Sequence, residues 1–510
     1  MIAEAVVLPV AMLTTVKPEI TGAVLRNSMP AAPLKGRTAL FLSATLCVTF
    51  AGCVASGNWK AARALPPEGL AANRTLATAH VEAAAWPTDT WWNAYADPQL
   101  DALIQEALAG SPSLEIAQAR LRAAQAEATR ASGARRPTTT IDATATRQRY
   151  PEHGLFPPPY AGSYVTDARL ALDFSYDIDF WARNRAALES ARAGVQAAEA
   201  DRAAARLALA VAVARAYFQL DLSYGLLDVV QSNLEQQTSI LDLTQQRVSA
   251  GLENTARVRQ SEGALALTRA GVVAAQANIE LARNQLAALV GTGPDRGRDL
   301  QRPHLSAPDS IALPSALPVD LLGRRPDVTA SQWRVESAAR GVAAGEAAFY
   351  PNVDLIAFAG LQSIGLSRLF DASDRIVGAG PALHLPVFNR GELRGALQAQ
   401  QAQYDLSVGQ YNQTLIDAVH EVADVMANWT ALQKETAEQQ IALDSAQRSY
   451  DLTRDRYSAG LDNYLTVLSS QNQVLLAQAL RAELQARRLS FSADLVRALG
   501  GSYSPVSVPK

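Results

Sequence analysis

Hydrophobic positions along the 510-residue chain follow two repeats, one typical of helices and one typical of strands. From Glu392 to Ser458 an apolar side chain recurs at every seventh position. This row consists of Leu397, Tyr404, Tyr411, Ala418, Val425 and Leu432. A heptad repeat of this length predicts a helix of roughly 100 Å that lies against parallel neighbours throughout. The uninterrupted stretch from Ala186 to Val248 predicts a second helix of roughly 95 Å.

The strand repeat is alternation of apolar and polar side chains over 166–179. The apolar set is Leu170, Leu172, Phe174 and Tyr176, and the polar set is Arg169, Asp173, Ser175 and Asp177. Period-two alternation predicts a strand with one apolar face and one face toward water. Similar stretches predict three more strands, over 138–150, 352–363 and 375–388.

The chain contains the same unit twice. Residues 242–254 read DLTQQRVSAGLEN and residues 451–463 read DLTRDRYSAGLDN, with nine of thirteen positions identical. Upstream, SPSLEIAQAR at 111–120 matches RPDVTASQWR at 325–334. A fixed spacing signals a duplicated structural unit, and this one is half the protein. Each half therefore builds two strands, a very long helix and, after a turn on Gly251 or Gly460, a return helix.

Four strands are too few for a membrane barrel of one chain, because such barrels need at least about eight. Left open in lipid, the sheet would expose backbone groups that lipid cannot satisfy. Either the strands lie outside a membrane or several copies share one barrel. The long helical hairpins also lack a core of their own and require neighbours.

The N-terminus has the features of an export signal. Lys35 and Arg37 precede an apolar run over 39–52, which is too short for a membrane helix and ends in small residues before Cys53. The sequence FAGC resembles the lipobox of bacterial lipoproteins. This resemblance implies removal of 1–52 and an N-acyl S-diacylglyceryl group on Cys53, and Met29 is a candidate for the true start.

Composition and motifs give no sign of catalysis. The net charge is −3, with no basic block interleaved with aromatic residues, so no nucleic-acid partner is expected. The five histidines are scattered, and the HEVAD sequence at 420–424 lacks the second histidine of a zinc site. We therefore expect neither an enzyme nor a metal site, and no cofactor apart from the lipid on Cys53.

Several motifs in order resemble one known family. They are WWNAYADPQLDALIQEALAGSP, LGRRPDV, AAFYPNV, YSAGLDNYLTVLSSQ and RALGG. These resemble the outer membrane factors, the TolC-like efflux channels, in the lipoprotein branch that includes NodT-type proteins. The resemblance covers residues 86–503 and is in register with the duplication.

The resemblance implies a mainly helical fold with a β-barrel portion. Three chains would supply 3 × 4 = 12 strands to one barrel in the outer membrane lipid, and their helices would form a tunnel across the periplasm. The implied function is a passive exit duct for drugs or other small molecules, docked to a periplasmic adaptor and a resistance–nodulation–division pump of the inner membrane. Two alternatives stay open: a duct for an ABC-driven exporter, and a structural coiled-coil lipoprotein.

The resemblance also assigns roles at the two SAGL turns. They would form the periplasmic tip, where Gly251, Leu252, Gly460 and Leu461 contact the adaptor. Family members are closed at this end, and Tyr457 matches a tyrosine that helps to hold the closed state.

Departures from the family pattern at the tip generate two further hypotheses. Arg257 and Asp462 occupy two positions that pair electrostatically in the family, with the charges exchanged, so we expect a reversed latch. Thr466 and Ser469 stand where members often have constriction aspartates, so we expect a neutral or weakly polar constriction.

The sequence thus predicts six segments along the chain. In order they are a signal peptide (1–52), a lipidated extended segment (53–95), a first repeat (96–295), a linker (296–318), a second repeat (319–503) and a tail (504–510).

Overall fold

The structure is a computed structural model that describes residues 59–66, 70, 86–154, 156–306 and 321–504. All of these residues belong to one compact unit, Asn58–Lys510. The predicted signal peptide and the lipidation site Cys53 lie outside the described residues.

Helices account for most of the described chain. In chain order they are α1 (Pro98–Gly110), α2 (Pro112–Gly133), α3 (Arg183–Ser249), α4 (Thr255–Val290), α5 (Asp295–Arg298), α6 (Leu321–Arg324), α7 (Pro326–Ala347), α8 (Arg390–Ser458) and α9 (Tyr464–Ala498). The two long helices predicted from the sequence are confirmed as α3 and α8, and each begins two or three residues before the predicted start. The first helix has a regular start, because the Asp97 side chain accepts a hydrogen bond from the Gln99 N–H and Pro98 is the first helical residue.

The four predicted strands form one antiparallel sheet in the order β1-β2-β3-β4. Their bounds are β1 (Thr138–Arg149), β2 (Tyr164–Asp177), β3 (Asn352–Ile364) and β4 (Arg375–His384). The prediction for the last strand was too long, since it continued to Phe388. The ladder ends at His384 because that residue pairs with Asn352, the first residue of the neighbouring strand β3.

Two helical layers continue from the sheet, and they share α3 and α8. Next to the sheet, neighbouring helices pack in the order α2–α3–α7–α8. Further away, the order is α4–α3–α9–α8. One edge of the sheet and of each layer is therefore formed by an element of the first repeat, namely β1, α2 or α4. The other edge is formed by an element of the second repeat, namely β4 or α8.

The largest buried cluster lies where α1, α3, α4 and α9 meet. At its edge Asp97 accepts hydrogen bonds from the Tyr217 hydroxyl at 2.8 Å and from the His304 backbone N–H at 2.9 Å. Among the described helices, only α3 has the length and apolarity of a membrane span, and half of its most apolar window is buried inside the protein. Burial of this kind is expected of a core helix.

A buried arginine joins the elements of the second repeat. The Arg325 guanidinium binds both carboxylate oxygens of Asp327, at 3.1 and 2.7 Å, and a Glu421 oxygen at 2.8 Å. It also donates to the carbonyl of Ala498 at 2.9 Å. Burial raises the pKa of Asp327, but the hydrogen bonds and charge of Arg325 outweigh it and leave that pKa below its usual value. Arg325 thereby ties the start of α7 to α8 and to the end of α9.

Replacing Arg325 is expected to destabilise the protein. Arg325→Met removes the shared partner of Asp327 and Glu421, but Asp327 is partly exposed and Glu421 keeps its ion pair with Arg497, so the expected loss is about 1–3 kcal/mol. Arg334→Gln is the matched control, because Arg334 pairs with Asp201 in an exposed position and such pairs contribute about 0–1 kcal/mol. Thermal unfolding of the two variants measures the difference. Equal, small losses of stability would contradict the role given to Arg325.

Candidate functional site

The two helical hairpins end in turns of the same geometry. Gly251 and Gly460 have φ values of +75° and +79°, in the left-handed region that favours glycine. Each is followed by a leucine that faces solvent, with Leu252 66% and Leu461 68% exposed. Two exposed leucines at corresponding positions give the far end of the molecule two small apolar contact points.

After each turn, an asparagine caps the N-terminus of the return helix. The Asn254 side chain accepts from the Arg257 N–H, and the Asn463 side chain accepts from the Thr466 N–H. Capping of this kind satisfies one of the free N–H groups at a helix start. The turns are therefore rigidly defined on both sides.

A buried cluster fixes the two hairpins to each other just above the turns. Tyr457 and Tyr464 are its largest side chains, and their ring centres are 6.4 Å apart. They pack with Ile240 of α3 and Val467 of α9. Neither tyrosine hydroxyl has a hydrogen-bond partner among the described residues, so the rings hold this cluster together by packing.

Arg247 makes a polar bridge between the hairpins at the same level. Its Nη1 donates to the backbone carbonyl of Tyr457 at 2.9 Å, and its guanidinium carbon lies 4.7 Å from the centre of the Tyr457 ring. Sequence reasoning missed this residue. The duplication contained the signal, because Arg247 corresponds to Arg456, which instead pairs with Asp462 of its own turn at 3.3 Å.

The structure gives the two proposed latch residues local partners within one chain. Arg257 lies 3.8 Å from Glu253, one helical turn away, and donates to Gln260 at 3.1 Å. Hydrogen bonds from the Asn463 N–H, the Thr466 hydroxyl and Arg456 hold the pKa of Asp462 below its usual value. The aspartate is therefore ionised at neutral pH and able to attract a cation.

Thr466 and Ser469 lie in the first turns of α9, one half-buried and one exposed. Thr466 is engaged by Asn463 and Asp462, as described above. Across the described residues, no group of three or more His, Cys, Asp or Glu side chains is placed to hold a metal ion.

At the opposite end of the molecule, the sheet has two chemically different faces. One cross-strand row consists of Ile141, Leu172, Ala359 and Val377, and its outer members are 75% and 84% exposed. On β1 and β2 the opposite face carries Asp142, Arg169 and Asp173, with an Arg169–Asp173 ion pair of 2.6 Å, whereas β3 and β4 contribute Ile356, Phe358 and Ile376 to that face. Such a sheet can present one face to lipid and the other to water.

Comparison with known proteins establishes the family. Residues 103–292 and 317–501 match the outer membrane efflux protein family. The chain belongs to that family. The two matches start 317 − 103 = 214 residues apart and end 501 − 292 = 209 residues apart, in agreement with the internal duplication. The protein is accordingly an efflux channel of the bacterial outer membrane.

Similar proteins include channels and resistance proteins rather than enzymes. The fusaric acid resistance protein FusA of Burkholderia cepacia is 39% identical over 73% of this chain and 71% of its own length. The multidrug resistance outer membrane protein MdtP of Escherichia coli is 32% identical over 83% of this chain and 88% of its own length.

Solved structures agree in fold. The outer membrane protein VceC of Vibrio cholerae is 39% identical, with a TM-score of 0.77 over 82% of this chain and all of its own. The outer-membrane channel OprN is 26% identical, with a TM-score of 0.78 over 88% of this chain and 99% of its own. The long hairpins and the four-stranded sheet are thus those of an outer membrane efflux channel.

The tip cluster predicts different outcomes for two substitutions of Tyr457. Tyr457→Phe removes a buried hydroxyl that has no partner among the described residues, so the free energy of unfolding should stay the same or rise by about 1 kcal/mol. Tyr457→Ala leaves a cavity and should cost about 3–5 kcal/mol. Chemical denaturation measures both variants. A large loss in the phenylalanine variant would show that the hydroxyl has a partner in the folded protein.

Proposed function

We propose that the protein is the outer membrane exit duct of a tripartite efflux system, and that three copies build it. One observation carries the proposal: the sheet and both helical layers end on a first-repeat element at one edge and on β4 or α8 at the other. Unlike edges on the two sides of a protomer favour head-to-tail association, which closes into a ring. Three copies would give twelve strands, an even number within the range of closed membrane barrels.

Exposed apolar side chains on the edge helices support this ring. On α4 they include Leu267 and Leu281, and on α8 they include Ile441 and Leu452. An isolated helical hairpin gains little from exposing leucines, whereas contact of α8 with α4 of the next copy would bury them. The ring encloses a tunnel that continues from the polar face of the sheet.

The exit duct has no energy source of its own, so it requires a pump. The two exposed tip leucines form the contact with a periplasmic adaptor, and a resistance–nodulation–division pump of the inner membrane drives drugs or other small molecules into the adaptor. The names of relatives as multidrug resistance proteins support this assignment. Alternatively, the same duct works with an ABC-driven exporter.

Lipidation of Cys53 completes the proposal. An N-acyl S-diacylglyceryl group there anchors the chain to the outer membrane. In the described residues the segment that follows is attached to α8, because the Trp59 indole N–H and the Ala62 N–H donate to the Asp405 carboxylate at 3.0 and 2.8 Å.

Arg257 and Asp462 act in this proposal as a reversed latch between neighbouring hairpins of the closed tip. Arg257→Asp and Asp462→Arg should each raise leak, and the combined reversal should restore low leak because the attraction returns. Sensitivity of cells to an antibiotic too large for the closed channel measures leak. Arg259→Gln, which removes an exposed arginine on the same helix, is the control. Additive leak in the double variant would overturn the latch.

Thr466 and Ser469 make the constriction neutral or weakly polar. Divalent and trivalent cations at micromolar concentration should therefore leave the conductance of the purified channel in a planar bilayer almost unchanged. Thr466→Asp combined with Ser469→Asp should create a block by introducing carboxylates, the ligands that hard cations prefer. Strong block of the unmodified channel that persists in Asp462→Asn would contradict the assignment, whereas block that depends on Asp462 would come from a ring of that carboxylate.

The function is tested by in-cell cross-linking from a cysteine placed at Leu252 or Leu461, with captured proteins identified by mass spectrometry. Capture of an adaptor together with a resistance–nodulation–division pump is expected. A cysteine at Phe370, an exposed position at the far end of the sheet, is the control. Capture of an ABC exporter would support the alternative, and failure to capture any adaptor would contradict the docking role.

A further inference from the structure

Exposed aromatic side chains surround the end of the sheet from which the helices emerge. Phe180 and Trp181 follow β2, and Phe388 follows β4 with its side chain 100% exposed. Trp181 also stacks on Tyr350, with ring centres 4.6 Å apart. Aromatic rings at the end of a membrane sheet are typical of the boundary between hydrocarbon and headgroups. This end of the sheet therefore lies at headgroup level.

Four arginines lie at the same level, two on each edge of the protomer. Arg135 and Arg136 stand between α2 and β1, and Arg390 and Arg394 stand at the start of α8 after β4. All four are exposed. Within the part of the chain that the structure describes, their side chains make no hydrogen bond or ion pair. We name them the edge arginines.

The corresponding arginines at the middle of the protomer behave differently. Arg183 lies 3.7 Å from Asp177, and Arg185 lies 3.0 Å from Glu189. Both belong to the first turn of α3, which corresponds to the first turn of α8 by the duplication. The two arginines at the start of α3 thus have acidic partners within the protomer, whereas the four edge arginines have none among the described residues.

The edge arginines on α8 also gain nothing from their own helix. The positive end of a helix dipole lies at its N-terminus and disfavours cations in the first turn. Glu392 is the only acidic residue of that turn. Arg390 therefore gains no stabilisation from its own helix dipole, and Arg394 follows one helical turn later.

Closure of the ring, on which this inference rests, concentrates the charge. It places β4 and α8 of one copy beside β1 and α2 of the next, so all four edge arginines meet at each seam. With Glu392 counted, four positive charges and one negative charge leave three net positive charges. Guanidinium groups at one seam repel each other unless an anion lies between them.

We propose that each seam binds the headgroup of an anionic phospholipid in the periplasmic leaflet of the outer membrane. The guanidinium fork matches phosphate oxygens and forms strong charge-assisted hydrogen bonds with them. The aromatic residues at the same level hold the adjoining acyl chains at the proper depth. A lipid bound across each seam links two copies and stabilises the ring.

Native mass spectrometry of the full-length protein tests this proposal, with phosphatidylglycerol and phosphatidylcholine of identical acyl chains added in equal amounts. The trimer should retain phosphatidylglycerol in preference to phosphatidylcholine, with up to three molecules per trimer. A basic side chain near an anionic surface contributes about fivefold in affinity, so R390Q/R394Q should lower the preference by roughly 25-fold. R135Q/R136Q should act similarly. R368Q/R375Q, which removes two exposed arginines at the far end of the sheet, should leave it unchanged.

The same spectra distinguish failure of the proposed ring from failure of the proposed lipid site. A mass other than the trimer would overturn the ring, whereas an intact trimer without lipid preference would overturn only the lipid site. Should the edge variants dissociate, the preference of the unmodified trimer decides the question. Equal loss of preference in R368Q/R375Q would contradict a site at the seams. Competition by inorganic phosphate at millimolar concentration would assign the site to free phosphate instead of lipid.

Discussion

The constraint on which the whole architecture depends is that the backbone groups at the edges of the sheet must find partners. In lipid, an unpaired N–H or carbonyl costs several kcal/mol, and a strand edge presents a row of them. β1 and β4 form two such edges in each protomer. In the proposed ring, β4 of one copy pairs with β1 of the next and satisfies these groups, and the same closure brings together the helices that continue from these strands.

Duplication supplies the two similar halves that the proposed closure uses, and the side-chain contacts of these halves have since diverged. Each half contributes two strands and one long hairpin, so the halves are interchangeable in outline. Their contacts differ where they meet: Arg247 bridges to Tyr457, whereas its counterpart Arg456 stays within its own turn. Arg325 similarly anchors only the second half.

The sequence predicted the elements well and the contacts between them poorly. The heptad repeat located α8 and alternating patterns located the strands, because burial of one face imposes a period on the residues that form it. The long uninterrupted stretch located α3. Pattern alone could not place Arg247, whose surroundings come from a hairpin more than two hundred residues away in the chain. It likewise could not show that Arg257 and Asp462 each have a local partner, since such distances depend on side-chain geometry.

Head-to-tail closure of the edges is tested most directly by chemical cross-linking of the assembled protein. Leu267 on α4 and Ile441 on α8 lie at similar heights, roughly 24 and 29 Å from their turns. A protein with cysteines at both positions, treated with a short bifunctional maleimide, should yield covalent dimers and trimers and nothing larger. Either cysteine alone should yield monomers. Dimers from a single cysteine would indicate a two-fold contact of like edges and contradict the account.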